Sequence, residues 1–289
     1  MNESGWLIYS SEDAARNQSY IQWMIEEAKQ LDMNLILCFR EDFALGHCDS
    51  KLAIFHQGKT VDLPSFAIVR TIDPLFTRQL ELLGIKCFNT SLVSEICNNK
   101  AKTHQYMATL GIPMTDTLYC PGNTFTYNDV PLQYPYIAKE VSARGGKQVF
   151  LIENEADEGV LKGTPGQWII QKPAVLGKDV RVFVVGKKII AAVLRQSQTD
   201  FKANFTLGGS ASLYKLSDQE KDLIEKIINT IDFGMVGIDF VFSEEGSFWL
   251  NEIEDIVGSR TLSALSKINI VREYMLHIKK EMTMERNRS

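Results

Sequence analysis

The chain has 289 residues, 45% of them hydrophobic and 23% charged, enough for two or three small domains with real cores. A formal net charge of −5 at pH 7 excludes broad electrostatic binding to nucleic acid or an anionic membrane, so any basic patch is local. Residues 1–30 show no basic stretch followed by an apolar one, and no apolar run approaches membrane-spanning length, so a cytoplasmic chain without a signal peptide is the expectation.

Cys38, Cys48, Cys87, Cys97 and Cys120 are odd in number, lack C-x-x-C spacing and read as reduced structural thiols. His47, His56, His104 and His277 form no pair at zinc-ligand spacing and no Ser/His/Asp arrangement, so metalloprotease and triad chemistry drop out.

Residues 5–9 (GWLIY) and 35–39 (LILCF) read as strands around a helix in which Tyr20, Met24, Ala28 and Leu31 repeat at helical spacing, a βαβ unit. Residues 66–69 read as a strand, Asp73-Pro74 opens a helix that Gly84 ends, and residues 85–88 are another strand. Residues 1–97 are thus expected to form an N-terminal α/β domain without the G-x-G-x-x-G dinucleotide fingerprint. Arg70, at a strand end, divides evenly between a solvated role and substrate contact.

Residues 98–110 read as a polar-faced helix stopped by Gly111 and Pro113. A strand at residues 134–139, the loop SARGGK (142–147) and a strand at 149–152 follow. Two glycines let backbone N–H groups approach an anion while Lys139, Arg144 and Lys147 supply charge against a polyphosphate. The loop is not a Walker A, and a Gly-Gly hairpin turn with solvated lysines is an equal alternative. Residues 167–171 form the next strand, and a hairpin pairs residues 180–185 with 188–193 across Gly186-Lys187. Asp179, Arg181 and Arg195 punctuate it, and the following loop carries Lys202, Asn204, Gly208 and Gly209. Ser217 and Glu220 make a capping box for a helix to about residue 232. An amphipathic helix over about 269–282 precedes a charged end that is expected to fray.

The stretch 235–258 organises the rest. Two apolar runs, 235–242 and 248–253, flank a turn at Ser243-Glu244-Glu245-Gly246. The expected register sets Phe242 opposite Ser247 and Asp239 opposite Leu250, which puts Asp239, Leu250, Glu252 and Glu254 on one face. Three converging carboxylates with no nearby His or Cys suit Mg²⁺ or Mn²⁺, ions that bridge carboxylates to substrate phosphates. An acidic surface hairpin is the alternative, disfavoured because Asp239 sits inside an apolar run. Since crowded acids repel without a cation, amide replacements at Asp239 or Glu252 are expected to leave the fold intact.

In this order the pieces resemble the ATP-grasp superfamily, and within it the RimK-like ligases that join a carboxylate to an amine. The resemblance rests on Asn99-Lys100 opening a helix, YIAK before the glycine loop, GKDVRVFVVGKKIIAAVLR, DFKANFTLGGSAS, GIDF and NEIE. It implies an α/β ATP-grasp fold: an N-terminal α/β (pre-ATP-grasp) domain at 1–97, a small central lid domain at 98–170 and a C-terminal α+β domain with the metal site at 171–289. It implies that Lys100 and Lys139 contact ATP phosphates, that Arg144, Gly145, Gly146 and Lys147 form a mobile lid, and that Gln171 and Lys172 lie at the adenine hinge. Asp179, Arg181, Arg195 and Asn204 would line the nucleotide and substrate side, with Asp239 and Glu252 on Mg²⁺. Glu254 stands where the family's E-x-N has Asn, adding a candidate ligand, and Gln171 replaces a common acid.

The expected activity is ATP-dependent carboxylate–amine ligation through an acyl phosphate, by positioning and electrostatics rather than a dedicated nucleophile. Arg181, Arg195 and Arg260 are candidates for gripping the carboxylate of an amino acid or peptide substrate. No nucleic-acid or membrane partner is expected, and a homo-oligomer is left open. The competing class is an ATP-binding sensor or scaffold without ligase turnover.

Overall fold

The computed structural model describes residues 3–121, 132–161, 166–197 and 209–287; Lys202, Asn204 and Gly208 lie outside the described residues. The chain opens with β1 (Glu3–Tyr9), α1 (Ser11–Arg16), α2 (Gln18–Lys29) and β2 (Met33–Phe39). Strands β1 and β2 pair in parallel, as a βαβ unit requires. Three short strands follow, β3 (Phe43–Cys48), β4 (Lys51–His56) and β5 (Lys59–Thr60), forming an antiparallel sheet that the sequence reading did not anticipate. Then come β6 (Phe66–Val69), α3 (Pro74–Leu82) and β7 (Lys86–Phe88), which complete a parallel sheet in the order β2-β1-β6-β7. The Asp73 side chain caps α3 by accepting from the Phe76 N–H, with Pro74 at the first helical position.

The expected helix over 98–110 is α5 (Lys100–Thr109), opened by Asn99, whose side chain accepts from the Lys102 N–H; a separate helix that the sequence reading did not anticipate, α4 (Ser91–Cys97), precedes it. The central sheet, ordered β10-β9-β11-β8, is built from β8 (Thr117–Pro121), β9 (Tyr136–Glu140), β10 (Val149–Ile152) and β11 (Gln167–Gln171).

A five-stranded sheet in the order β14-β13-β12-β15-β16 follows, from β12 (Lys178–Val185), β13 (Lys188–Gln196), β14 (Ser210–Leu213), β15 (Met235–Phe242) and β16 (Phe248–Glu254). Between β14 and β15 lies α6 (Asp218–Ile228), opened by the expected Ser217/Glu220 capping box but ending short of residue 232. The chain closes with α7 (Arg260–Leu265) and α8 (Ile270–Arg286). The end of α8 is helical rather than frayed: Lys86 Nζ reaches Glu281 at 3.1 Å and Arg286 reaches Glu3 at 2.9 Å. No helix among the described residues is long and apolar enough to cross a membrane.

Strand parity divides the five-stranded sheet into two faces. Val180, Val182, Val184, Val236, Ile238 and Phe240 are buried in one core with Ile224, Ile227 and Ile228 of α6. Phe183, Val185, Val193 and Met235 are buried in a second core with α2, α8 and the N-terminal parallel sheet. Further along that second face the alternate positions are Asp179, Arg181, Arg195 and Asp239, so the apolar core gives way to charge within single strands.

Candidate active site

The charged end of this face is a cross-strand ladder. Asp179 on β12 pairs with Arg195 on β13, and Arg181 on β12 pairs with Asp239 on β15. Arg181 donates from Nε and Nη2 to the two oxygens of Asp239, both at 2.7 Å. Arg195 donates to Asp179 at 2.6 and 2.9 Å, and its Nη2 also reaches Asp239 at 2.8 Å. Asp239 is 1% exposed. Burial works against its charge, yet Arg181 and Arg195 hold its carboxyl below the usual carboxylate range. Burial pushes Asp179 up instead, since it pairs with one of the two arginines and faces Asp239 as a like charge. Gly237 permits this packing, because a Cβ there would meet Val257 Cγ2 at 2.7 Å and Arg181 Cδ at 3.4 Å.

The register of the acidic hairpin differs from expectation. Phe242 pairs with Phe248, Phe240 with Leu250 and Asp239 with Glu252, with an irregularity between Asp239 and Phe240 that leaves Asn251 as an extra residue in β16. The bulge turns Leu250 into the core at 0% exposure, off the carboxylate face, and keeps Glu252 directly opposite Asp239. It also frees Asn251, whose Oδ1 accepts from Lys139 Nζ at 2.7 Å.

The three carboxylates do not converge on one centre; no group of three acids, histidines or cysteines suited to a metal occurs among the described residues. Guanidinium groups already neutralise two of them: Asp239 by two arginines, and Glu254 by Arg181 Nη1 at 2.5 Å. Burial raises the Glu254 carboxyl, with Arg181 opposing. Glu252 has looser company, Lys100 Nζ at 3.9 Å.

Nine of the expected residues line one cleft: Lys100, Lys139, Gly145, Gly146, Gln171, Lys172, Asp179, Arg195 and Glu252. Ile137, Val175, Leu176, Lys178 and Asn251 share its lining. Lys139 arrives on β9, and Lys100 on the first turn of α5, where its Nζ donates to the Ala143 carbonyl. Burial, with Glu252 opposing and Lys100 adding, pushes the Lys139 ammonium down to about 8. Gly145 and Gly146 sit at φ 64° and 73°, the left-handed region that turns this loop. Arg144 and Lys147 belong to the loop but do not line the cleft; Arg144 donates to Asn98 Oδ1. Asn98 in turn donates to Asp255 at 2.9 Å. Arg181, Asp239 and Glu254 form the layer behind, and Arg260 is exposed at the start of α7, outside the lining. Asn204 lies outside the described residues.

Arg70 is neither solvated nor in the cleft: it is 7% exposed, donates to the Val257 carbonyl at 3.0 Å and sits over the Tyr20 ring. Asn251 and His104 were missed by sequence reasoning. The only trace they left was a polar residue inside the apolar run of β16.

This arrangement of sheets around a lysine-lined cleft is that of the ATP-grasp fold. It superposes on a RimK-domain ATP-grasp protein of Sphaerobacter thermophilus with a TM-score of 0.71 at 17% identity, covering 95% of this chain and 98% of that one. The chain belongs to the RimK-like ATP-grasp family, whose domain model matches residues 97–278. It is 30% identical over 218 residues to human beta-citrylglutamate synthase B, a match covering 72% of this chain and 56% of that protein. It is 28% identical over 214 residues to a probable alpha-L-glutamate ligase of Xanthomonas axonopodis pv. citri, covering 71% and 72%. The chain thus spans about half the length of the human relative.

Proposed function

We propose that this protein is an ATP-dependent ligase that joins a carboxylate to an amine through an acyl phosphate, releasing ADP and phosphate. The carrying observation is that Lys100, Lys139, Gly145 and Gly146 share one cleft with Glu252 and Arg195. Cations and open backbone on one wall suit a polyphosphate, and acids beside them suit the ion that accompanies it. Lys100 and Lys139 hold the phosphates and offset charge on the transferred phosphoryl group as the substrate carboxylate attacks it. Arg195 and Arg260 are the candidates for holding that carboxylate. Arg181, unlike Arg195, stands outside the cleft lining and engages Asp239 and Glu254, so its role is to hold those acids in place.

The oxygen donors fit Mg²⁺ chemically, with Glu252 the carboxylate on offer and Asp239 directly opposite it. When bound, the ion neutralises charge on the phosphates. Glu254 serves as the counter-charge of Arg181 in this proposal rather than as a third ligand. The division of the chain at residues 97 and 170 is part of the same reading, supported by the N-terminal, central and C-terminal sheets falling on successive stretches of chain.

Glutamate heads the substrate screen because both relatives carry it in their names. The test is ADP release with Mg²⁺-ATP against glutamate and other amino acids, each with small carboxylates, followed by mass spectrometry for an amide product. ATP binding with no pair that stimulates ADP release or yields an amide would favour a nucleotide-binding module over a ligase.

A further inference from the structure

Arg181 and Arg195 each meet a carboxylate, at 2.7 and 2.6 Å, whereas Arg70, only 7% exposed, forms no ion pair among the described residues. Its Nε donates to the Tyr9 hydroxyl at 3.3 Å and its Nη2 to the Val257 carbonyl at 3.0 Å. A guanidinium has five N–H donors, so donors remain, and neither partner is an acid. Asp255 feels the Arg70 charge but is held instead by Asn89 at 2.7 Å and Asn98 at 2.9 Å.

The neighbouring side chains add donors rather than an anion. Tyr9 accepts from Arg70, and its own proton goes to no described residue. Arg70 stands over the Tyr20 ring, 5.5 Å from the centroid. The Tyr20 hydroxyl oxygen is buried without a hydrogen-bond partner, and Ser259 faces it without completing a bond. Burial raises the Tyr20 phenol, with Arg70 opposing, so it is neutral at pH 7 and does not supply the missing charge. A buried cation beside free hydroxyl protons is costly unless a ligand brings the anion.

Topology sets this group where open α/β sheets bind ligands. In the order β2-β1-β6-β7 the chain leaves β1 for β2 through α2, and leaves β6 for β7 through α3. Met24 and Ala28 of α2 share a core with Leu7 and Tyr9, while Phe76 and Leu80 of α3 share one with Ile8 and Val69, so the two helices cover opposite faces. The winding therefore reverses between β1 and β6, and the crevice outside the carboxyl ends of such strands is a ligand site. Tyr9 ends β1, Arg70 follows β6, and the Arg70 N–H donates to the Ile8 carbonyl at 2.8 Å, which sets the two ends side by side. The segment 257–259 closes the crevice and continues from β16, which carries Glu252 in the cleft. Beside Gly258 there is open space, since a Cβ there would meet nothing within 4 Å.

We infer that Arg70, with the Tyr9 and Tyr20 hydroxyls, forms a subsite for a free, non-reacting carboxylate of an amino-acid substrate. The inference deepens the ligase reading and rests on it: Arg195 and Arg260 are the candidates for the carboxylate that reacts, and Arg70 takes one that does not. The planar guanidinium matches a carboxylate, and the hydroxyl protons complete its hydrogen bonds. A purely structural Arg70 would tie β6 to the segment after β16 but would leave the Tyr20 hydroxyl without a use.

The experiment is calorimetric titration of the full chain, saturated with Mg²⁺ and a non-hydrolysable ATP analogue, with the standard amino acids. Each binder is then titrated again with its carboxylates amidated in turn. For glutamate these forms are isoglutamine and glutamine, which separate the α-carboxylate from the side-chain one. Wild type should lose about 10- to 100-fold in affinity when the seated carboxylate becomes an amide, the scale of a charge-assisted hydrogen-bonded pair. In Arg70→Gln that penalty should collapse to within about threefold. Tyr20→Phe removes a hydroxyl that bonds nothing in the free protein, so Tm should hold or rise while the penalty shrinks by about three- to tenfold. This second variant keeps the test open if Arg70→Gln does not fold. An unchanged penalty in either folded variant overturns the inference, as does a panel with no binder. Amide formation without an Arg70-dependent penalty leaves the ligase reading standing and sinks only the subsite, whereas no nucleotide binding at all overturns both.

Discussion

Asp239 shows how one residue can carry opposite consequences depending on its neighbours. Read in isolation among acids it invites neutralisation, but it accepts three hydrogen bonds from Arg181 and Arg195 at 1% exposure. Asp239→Asn would leave two buried guanidinium groups without their shared anion, a loss of about 3–5 kcal/mol. Urea unfolding should show it, and a variant as stable as wild type would contradict the network. Lys139→Met should weaken ATP binding by about 1–3 kcal/mol and adenosine binding much less, because only the phosphates need the ammonium. Equal losses for both ligands would make the lysine a packing residue. His104 supplies the pH dependence. Its folded value of about 4 lies below the ordinary 6.5, so between those values the unfolded chain binds a proton that the folded chain does not. Stability is therefore lost as pH falls through that window, by on the order of 3 kcal/mol at full protonation. Unfolding at pH 7 and pH 5 should give a smaller acid loss in His104→Gln, and an identical loss would assign the effect elsewhere.

At the scale of elements, one extra residue in β16 decides much of the site. Turn chemistry at Ser243-Glu244-Glu245-Gly246 placed the hairpin correctly, and alternation placed Asp239, Glu252 and Glu254 on one face. The bulge at Asn251 was invisible because it depends on what the strand packs against. Leu250 must reach the core beside Phe240, while the Asn251 carbonyl meets His104 of α5. The same limit applies to Arg181 and Arg195, legible as charges in an apolar hairpin but not as partners of Asp239, which is far from them in sequence. The glycine-rich loop is held at its entry by Ser142 N–H on Glu140 at 2.7 Å, by Lys100 on the Ala143 carbonyl and by Arg144 on Asn98. Arg144→Ala should raise amide hydrogen exchange across residues 142–148, and Mg²⁺-ATP should slow it again. Exchange there that ignores both the substitution and the nucleotide would mark an ordinary surface turn.

Across the whole molecule, the N-terminal sheet is locked to the C-terminal one through buried polar groups at the end of β16. Asn89 accepts from the Gly234 and Met235 N–H groups, and its Nδ2 donates to Asp255 Oδ1 at 2.7 Å and to the Met235 carbonyl at 2.9 Å. Arg70 adds its bond to the Val257 carbonyl, and Tyr274 of α8 donates to the Phe88 carbonyl at 2.9 Å. Asn89→Ala strands several buried partners at once and should cost on the order of 3 kcal/mol. Calorimetry should show a lower Tm, and an unchanged Tm would mean that the sheets are held by apolar packing alone. The amino-acid sequence by itself determined the order of most strands and helices, the capping of α6, the face shared by the three acids and the family resemblance. Those features are local: periodicity, turn residues and side-chain parity act over a few residues, and the motif series follows chain order. Tertiary structure alone decided that guanidinium groups neutralise Asp239 and Glu254, and that Arg70 is buried beside Tyr9 and Tyr20. Each joins residues brought together only when separate sheets and helices pack, where burial makes an unpaired charge or hydrogen-bonding group costly.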